Sequence, residues 1–99
     1  MMVRYRERAR EDIAGIYDWI ARSDPRAAQQ VEDAIHAAAE LLAMKPELGV
    51  ATGHRHARRW PMPAFDYAIF YRIDWDAHCI DVLRVVDGKR VRNLERVPG

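Results

Sequence analysis

The spacing of hydrophobic residues divides the chain into a helical first half and an extended second half. In the first half, apolar side chains recur every three or four residues, so each series falls on one stripe of a helix. The two series are Ala9, Ile13, Ile16, Tyr17 and Ile20, followed by Ala28, Val31, Ile35, Ala38 and Leu42. They predict a first helix over about residues 7–23 and a second helix that begins at about residue 24.

Local signals define where the second helix begins and ends. The carboxylate of Asp24 can cap a helix, and Pro25 suits the first helical position, where no backbone donor is required. Lys45 and Pro46 predict the end, because proline restrains the preceding residue from helical geometry. Since so short a link separates the two helices, they are predicted to form a hairpin.

The second half has the period of two that is typical of strands. Apolar and other residues alternate over residues 65–73, and residues 78–87 carry apolar side chains on both faces, which predicts a central strand covered on both sides. Residues 54–60 are predicted to form a more polar third strand, and residues 3–6 a brief first one. The order β-αα-βββ predicts an α+β fold, an antiparallel sheet with the helical hairpin packed on one face.

Composition favours one globular domain over residues 1–99. The chain is 49% hydrophobic and 31% charged, a balance typical of globular proteins rather than disordered ones. No apolar run is long enough to span a membrane, and the first residues lead into charged sequence, so we expect a cytoplasmic protein. The single cysteine, Cys79, excludes an internal disulfide and predicts a small core residue. We expect no metal and no cofactor.

Charge is distributed unevenly along the chain. Residues 1–50 carry seven basic and nine acidic side chains, whereas residues 51–99 carry nine basic and six acidic ones. A cationic second half favours an acidic partner. The densest cluster there contains Arg58, Arg59 and Trp60, residue types suited to carboxylate or phosphate contacts and to stacking. The alternative is an edge strand that charge protects from self-pairing.

Several single residues carry alternative interpretations. Arg84 lies inside an apolar strand and must find a counter-ion, either within the chain or on a partner. His54 and His56 would lie on the same side of a strand, yet two ligands do not make a closed metal site, so they are expected to be exposed polar residues. Helical spacing predicts that Trp19 packs at the edge of the core, and Trp75 is a candidate exposed anchor.

An ordered set of segments resembles the ParE branch of the RelE/ParE toxin superfamily. They are Ala9-x-x-Asp12-Ile13-x-x-Ile16-Tyr17, Asp24-Pro25-Arg26-Ala27-Ala28, Pro46-x-x-Gly49, Phe70-Tyr71-Arg72-Ile73 and Leu83-Arg84-Val85-x-x-Gly88-x-Arg90. The resemblance implies the same fold. It also implies the toxin half of a bacterial type II toxin–antitoxin pair, neutralised by a cognate antitoxin, and it adds Arg90 to the candidate binding residues.

Departures from the RelE pattern separate the two chemistries of the superfamily. RelE-like toxins cleave messenger RNA on the ribosome and use basic residues with a tyrosine or histidine. In the RelE pattern an arginine follows the central tyrosine, whereas Ala68 follows Tyr67 here, and no aromatic residue follows Arg90. The resemblance therefore implies a ParE-like inhibitor of DNA gyrase that arrests growth. One ParE feature is also missing, because Asp87 stands where a histidine is common.

We predict a toxin that acts by binding and has no catalytic residues. Target or antitoxin contacts are predicted for Arg58, Arg59, Trp60, Arg84 and Arg90. The antitoxin is expected to cover the helical hairpin and to add to a sheet edge; the toxin alone is expected to bind neither membranes nor specific nucleic acid sequences. Two alternatives stay open: a ribosome-dependent endoribonuclease that uses His54, His56 and the arginines, and a non-toxic module that binds only its antitoxin.

Overall fold

Two helices and five strands make up the part of the chain that the computed structural model describes, residues 1–89. A 3-10 turn, Pro46–Leu48, follows the second helix. The elements in chain order are β1 (Met2–Tyr5), α1 (Glu7–Ala21), α2 (Pro25–Met44), β2 (Val50–Ala51), β3 (Arg58–Pro61), β4 (Tyr67–Asp74) and β5 (Cys79–Asp87). The predicted α+β class and the β-αα-βββ order are confirmed, with β2 as an additional short strand.

The helical hairpin has the predicted boundaries to within two residues. The Asp24 carboxylate accepts the backbone N–H groups of Arg26 and Ala27, each at 3.1 Å, and Pro25 takes the first position of α2. This cap satisfies two donors that a helix start otherwise leaves unpaired. No helix within residues 1–89 combines the length and apolar character that crossing a bilayer requires.

The sheet is mixed, which corrects the predicted antiparallel sheet. Its strand order is β1-β5-β4-β3-β2, and β1 runs parallel to β5 while the other neighbours are antiparallel. The reason lies in the connection. The helical hairpin carries the chain from one edge of the sheet to the other, and the strands then return until β5 reaches β1 in the same direction.

The core lies between the hairpin and one face of the sheet. The fully buried large side chains are Tyr71, Ile35, Leu42, Ile69, Ile80, Val82 and Val85. Within residues 1–89 the helices pack on this face only, yet Cys79 and Asp81 on the other face of β5 are also buried, as expected for a central strand. A bulge interrupts the alternation along β5: Phe70 pairs with Arg84 and Tyr71 with Val82, which leaves Leu83 as an extra residue. It shifts the buried positions from Ile80 and Val82 to Val85.

Residues 54–57 form a loop, so the third strand is shorter than the predicted 54–60. Arg55 and His56 adopt left-handed backbone conformations, with φ of 47° and 61°. The Ala57 N–H donates to the His54 carbonyl at 2.8 Å and closes the turn. His54 and His56 therefore do not share one side of a strand, as the sequence predicted; both are exposed on the loop.

Candidate functional site

The connector between α2 and β3 is fixed by Tyr71, a fully buried residue of β4. Its hydroxyl accepts the Gly49 N–H at 2.8 Å and donates to the Pro46 carbonyl at 2.6 Å. A Cβ added to Gly49 would lie 2.5 Å from the Tyr71 oxygen, so only glycine fits there. The Pro46-x-x-Gly49 motif therefore packs against the Tyr71 ring and hydrogen-bonds its hydroxyl.

Arg58 braces the same connector. Its Nη1 donates to the Gly49 carbonyl at 2.6 Å and to the Glu47 carbonyl at 3.4 Å. Trp60, two residues further along β3, is partly buried against the core. Residues of a strand alternate between faces, so Arg58 and Trp60 lie on the helix-facing side and Arg59 lies on the opposite one. The structure thus divides the predicted Arg58, Arg59 and Trp60 cluster between two faces.

Arg84 pairs with Asp12 of α1. Its Nε and Nη2 donate to the two carboxylate oxygens at 2.7 and 3.1 Å, and the Val85 N–H donates to the same carboxylate at 2.9 Å. Pairing with β1 extends along β5 only as far as Val82, so Asp12 replaces the missing strand partner at Val85. The bond to Asp12 raises the pKa of Arg84. Of the two sources predicted for the counter-ion of Arg84, the chain itself or a partner, the structure shows the first, since Asp12 belongs to the same chain.

The face of the sheet opposite the helices, here the open face, gathers arginines from three strands. Arg4 lies on β1, Arg72 on β4 and Arg59 on β3, and we refer to these three residues as the arginine surface. The register places Arg4 and Arg72 on either side of Asp81, and it places Arg59 beside Phe70. Phe70 is half-buried, so the surface combines cations with an aromatic ring.

Asp81 holds this surface in place. It is buried, with 4% of its area exposed, and both its oxygens accept from Arg4, at 2.8 and 3.1 Å. The Nη2 of Arg4 also donates to Asp74 at 2.9 Å. These bonds raise the pKa of Arg4, because each stabilises the charged guanidinium. Sequence patterning missed Arg4 and Arg72; their positions between apolar neighbours (Val3 and Tyr5, Tyr71 and Ile73) were the available signal.

The pKa values of three strand tyrosines do not suit proton transfer. Burial raises the pKa of Tyr5 to about 12, and it also raises the pKa values of Tyr67 and Tyr71. A general acid or base works best with a pKa near the working pH, so these phenols stay protonated. Within residues 1–89, no three His, Cys, Asp or Glu side chains come together as a metal site.

The order of elements and the matched residues lead to the family. A family model described as the ParE toxin of type II toxin–antitoxin systems, parDE, matches residues 3–92. The chain belongs to the ParE toxin family. The resemblance drawn from the sequence is therefore confirmed, and this ParE-family chain is a toxin whose type II system includes an antitoxin.

A solved structure has the same fold as this ParE-family chain. It is titled "Chromosomal ParDE TA system from P. aeruginosa" and superposes with a TM-score of 0.74 at 18% sequence identity, over 88% of this chain and 95% of that one. At this identity the likeness concerns the fold alone. Curated protein sequences gave no significant match.

The predicted binding residues of the ParE-family chain have different environments. Arg58 and Arg84 are held by intramolecular bonds, Trp60 packs against the core, and Arg59 lies on the arginine surface; Arg90 lies outside the described residues. Trp19, which was predicted to pack at the core edge, is 69% exposed, so that prediction is wrong. Trp75 is also exposed, and Cys79 is buried as predicted.

Proposed function

We propose that this ParE-family toxin arrests growth by binding DNA gyrase and stalling its cycle, and that its cognate antitoxin neutralises it. The observation that carries the proposal is the match of the ParE toxin model to residues 3–92. The toxin acts as a binding inhibitor and catalyses no reaction of its own.

The chemistry of the strands favours binding over RNA cleavage. Ala68 follows Tyr67 on β4 and is buried, so the next position of the strand supplies no cation. The strand tyrosines have raised pKa values and face the helices, away from the arginine surface. A ribonuclease needs groups that move protons and stabilise charge at one place. The arginine surface lies on one face and the strand tyrosines on the other, and Arg58, which shares the face of Tyr71, is bonded to backbone carbonyls of the connector.

The arginine surface is the part of the described chain best suited to the target. Guanidinium groups bind carboxylates and phosphates with fixed geometry, so an acidic face of gyrase is the expected contact. Half-buried Phe70 adds an apolar contact beside Arg59.

The test in cells is induction of the chain alone in bacteria, with DNA-damage signalling and messenger RNA integrity scored in the same culture. We expect growth arrest with DNA breaks and intact transcripts. Transcript cleavage without breaks would instead establish the ribonuclease, and harmless expression of folded protein would establish the non-toxic module.

The test in vitro is supercoiling by purified gyrase. Replacing Arg59 and Arg72 together by alanine should weaken inhibition by about tenfold, since each surface charge contributes up to about 1 kcal/mol. The matched control replaces Arg8 and Arg26, two exposed helical arginines, and should leave inhibition unchanged. Equal loss in both double variants would show that only net charge matters.

A further inference from the structure

A cavity of about 560 Å³ lies at the end of the sheet where β4 turns into β5. The connector after α2, the loop before β3 and the β4–β5 turn enclose it. The residues that determine its chemistry are Glu47, Arg55, His56, Arg58, Ile73 and Trp75, and we call it the Trp75 pocket. Small-molecule sites typically have volumes of about 300 to 1,000 Å³. None of these residues belongs to the arginine surface, so the pocket is separate from the proposed target contact.

The loop of residues 52–57 fixes the backbone of Arg55 and His56. Both have left-handed conformations, which residues other than glycine adopt rarely and at a cost. The backbone N–H and the hydroxyl of Thr52 donate to the Ala57 carbonyl, at 3.0 and 2.9 Å, and close the loop at its base. Backbone strain of this kind concentrates at ligand sites, and both strained residues line the pocket.

The pocket offers cations that the fold does not use. Among residues 1–89, neither the Arg55 guanidinium nor the His56 ring forms a hydrogen bond or a salt bridge, and both residues are exposed. A guanidinium binds phosphate through two parallel N–H groups, and an imidazole N–H can donate a further bond. Arg58 adds positive charge, although its Nη1 is bonded to the Glu47 and Gly49 carbonyls. An anion therefore finds free donors on the 52–57 loop.

Trp75 gives the pocket an aromatic side. It lies on the β4–β5 turn with 61% of its area exposed. Ile73, which packs against the core, adds an apolar surface beside it. An indole stacks on any nucleobase, because every base has a π-face. The two side chains therefore suit a planar ring better than they suit a simple anion.

Glu47 narrows the class of ligand further. Its carboxylate has no partner among the described residues, and an ionised carboxylate can only accept hydrogen bonds. With two arginines and one glutamate, the pocket carries one net positive charge besides His56. Glu47 thus weakens the hold on a bare anion but accepts the N–H groups of a nucleobase. A nucleotide combines a phosphate, a planar ring and N–H donors in one unit.

We propose that the Trp75 pocket binds one nucleotide, with its base stacked on Trp75, its phosphate at Arg55 and His56, and the N–H groups of its base at Glu47. A free nucleotide and the 5′-phosphorylated end of a single strand share this chemistry. The inference does not rest on gyrase as the target, so failure to inhibit supercoiling would leave it intact.

The test titrates the purified chain with guanosine 5′-monophosphate in a calorimeter. Guanosine and inorganic phosphate each lack part of the ligand, so both should bind at least about tenfold more weakly. Arg55→Ala and Trp75→Ala should each weaken nucleotide binding roughly tenfold. The matched controls, Arg10→Ala and Trp19→Ala, remove the same residue types from exposed positions of α1 and should leave the affinity unchanged.

Two further variants have effects of opposite sign. Glu47→Gln should weaken binding of the nucleotide but strengthen binding of inorganic phosphate, because it removes both an acceptor and a negative charge. Arg55→Gly should weaken nucleotide binding as Arg55→Ala does, yet melt at a higher temperature than Arg55→Ala, because glycine adopts a left-handed backbone without strain. Loss of binding would then not reflect loss of folding.

A single-stranded oligodeoxynucleotide with a 5′-phosphate distinguishes the two sources. Tighter binding of this strand than of the free nucleotide, lost when the 5′-phosphate is removed, would assign the pocket to a strand end; otherwise its ligand is a free nucleotide. Unchanged nucleotide affinity in Arg55→Ala and Trp75→Ala would overturn the inference. So would tighter binding of a glutamate-rich peptide than of either nucleotide probe, because the pocket would then serve a protein contact.

Discussion

One atom of Tyr71, its hydroxyl oxygen, connects parts of the chain that are distant in sequence. Its hydroxyl joins β4 to both ends of the Pro46 to Gly49 turn, and Arg58 bonds the same turn from β3. Burial raises the pKa of this phenol, so it remains a donor throughout the physiological range. A buried polar group stabilises a fold only while its partners are present.

Replacing Tyr71 by phenylalanine should therefore destabilise the chain. The Gly49 N–H and the Pro46 carbonyl would lose their partner, and the free energy of unfolding should fall by about 1–3 kcal/mol in urea titrations. Tyr17→Phe on α1 is the control, because Tyr17 is only partly buried, and it should change stability by less than about 0.5 kcal/mol. Equal effects would show that the hydroxyl is dispensable.

At the scale of elements, α1 provides a hydrogen-bond partner for β5 beyond the point where its pairing with β1 ends. Asp12 accepts from the Val85 backbone and from the Arg84 side chain, so a helix carboxylate serves as the missing neighbour of a strand. Edge strands expose unpaired backbone groups that invite pairing with other chains. The same carboxylate thus holds the Arg84 ion pair and covers the edge of β5 at Val85.

Asp12→Ala should consequently cost more stability than Arg84→Ala. Removing Asp12 leaves three N–H donors without this partner, two from Arg84 and one from Val85, whereas removing Arg84 leaves the Val85 bond intact. We expect losses of about 2 and about 1 kcal/mol. Thermal unfolding of both variants, with Asp18→Ala as the exposed control on α1, measures the difference. A larger loss for Arg84→Ala would mean that the ion pair dominates.

The elements differ in how far their sequence predicts them. Both helices follow from apolar spacing and from Asp24 and Pro25, because these signals act within a few residues. The parallel β1–β5 pair, the bulge at Leu83 and the left-handed Arg55 depend on partners far along the chain or on backbone states that side-chain polarity does not encode. The residues of the arginine surface differ in the same respect. The sequence predicts Arg59 as a binding residue, whereas Arg4 and Arg72 are recognised only from the strand register that places them beside Asp81.

For the whole molecule, Arg4 ties the first strand to the last hairpin. It bonds Asp81 of β5 and Asp74 of β4, residues that lie 77 and 70 positions away in sequence. The bond from the Ala77 N–H and the bond from Arg4 lower the pKa of Asp74. Protonation of this carboxylate therefore weakens the link between the ends of the fold.

Stability should depend on acid through Asp74. Its pKa in the folded chain lies below the ordinary value of 3.8, so its contribution is present above about pH 4 and is lost as pH falls through the folded value. Asp74→Asn should lower the urea midpoint at pH 6 and reduce its fall between pH 4 and pH 2. Asp18→Asn, at an exposed position, should leave the midpoint and its fall with pH unchanged. If Asp74→Asn loses stability with acid as the wild type does, other groups cause the acid dependence.

The pairing of β1 with β5 also sets the order of events during synthesis. A ribosome that has translated β1 and both helices has released apolar surfaces without the sheet that covers them, because β5 ends only at Asp87. Contacts so distant in sequence form late and slowly. The nascent chain therefore cannot complete its sheet, or cover the apolar stripes of its helices, until the β4–β5 hairpin has left the ribosomal exit tunnel.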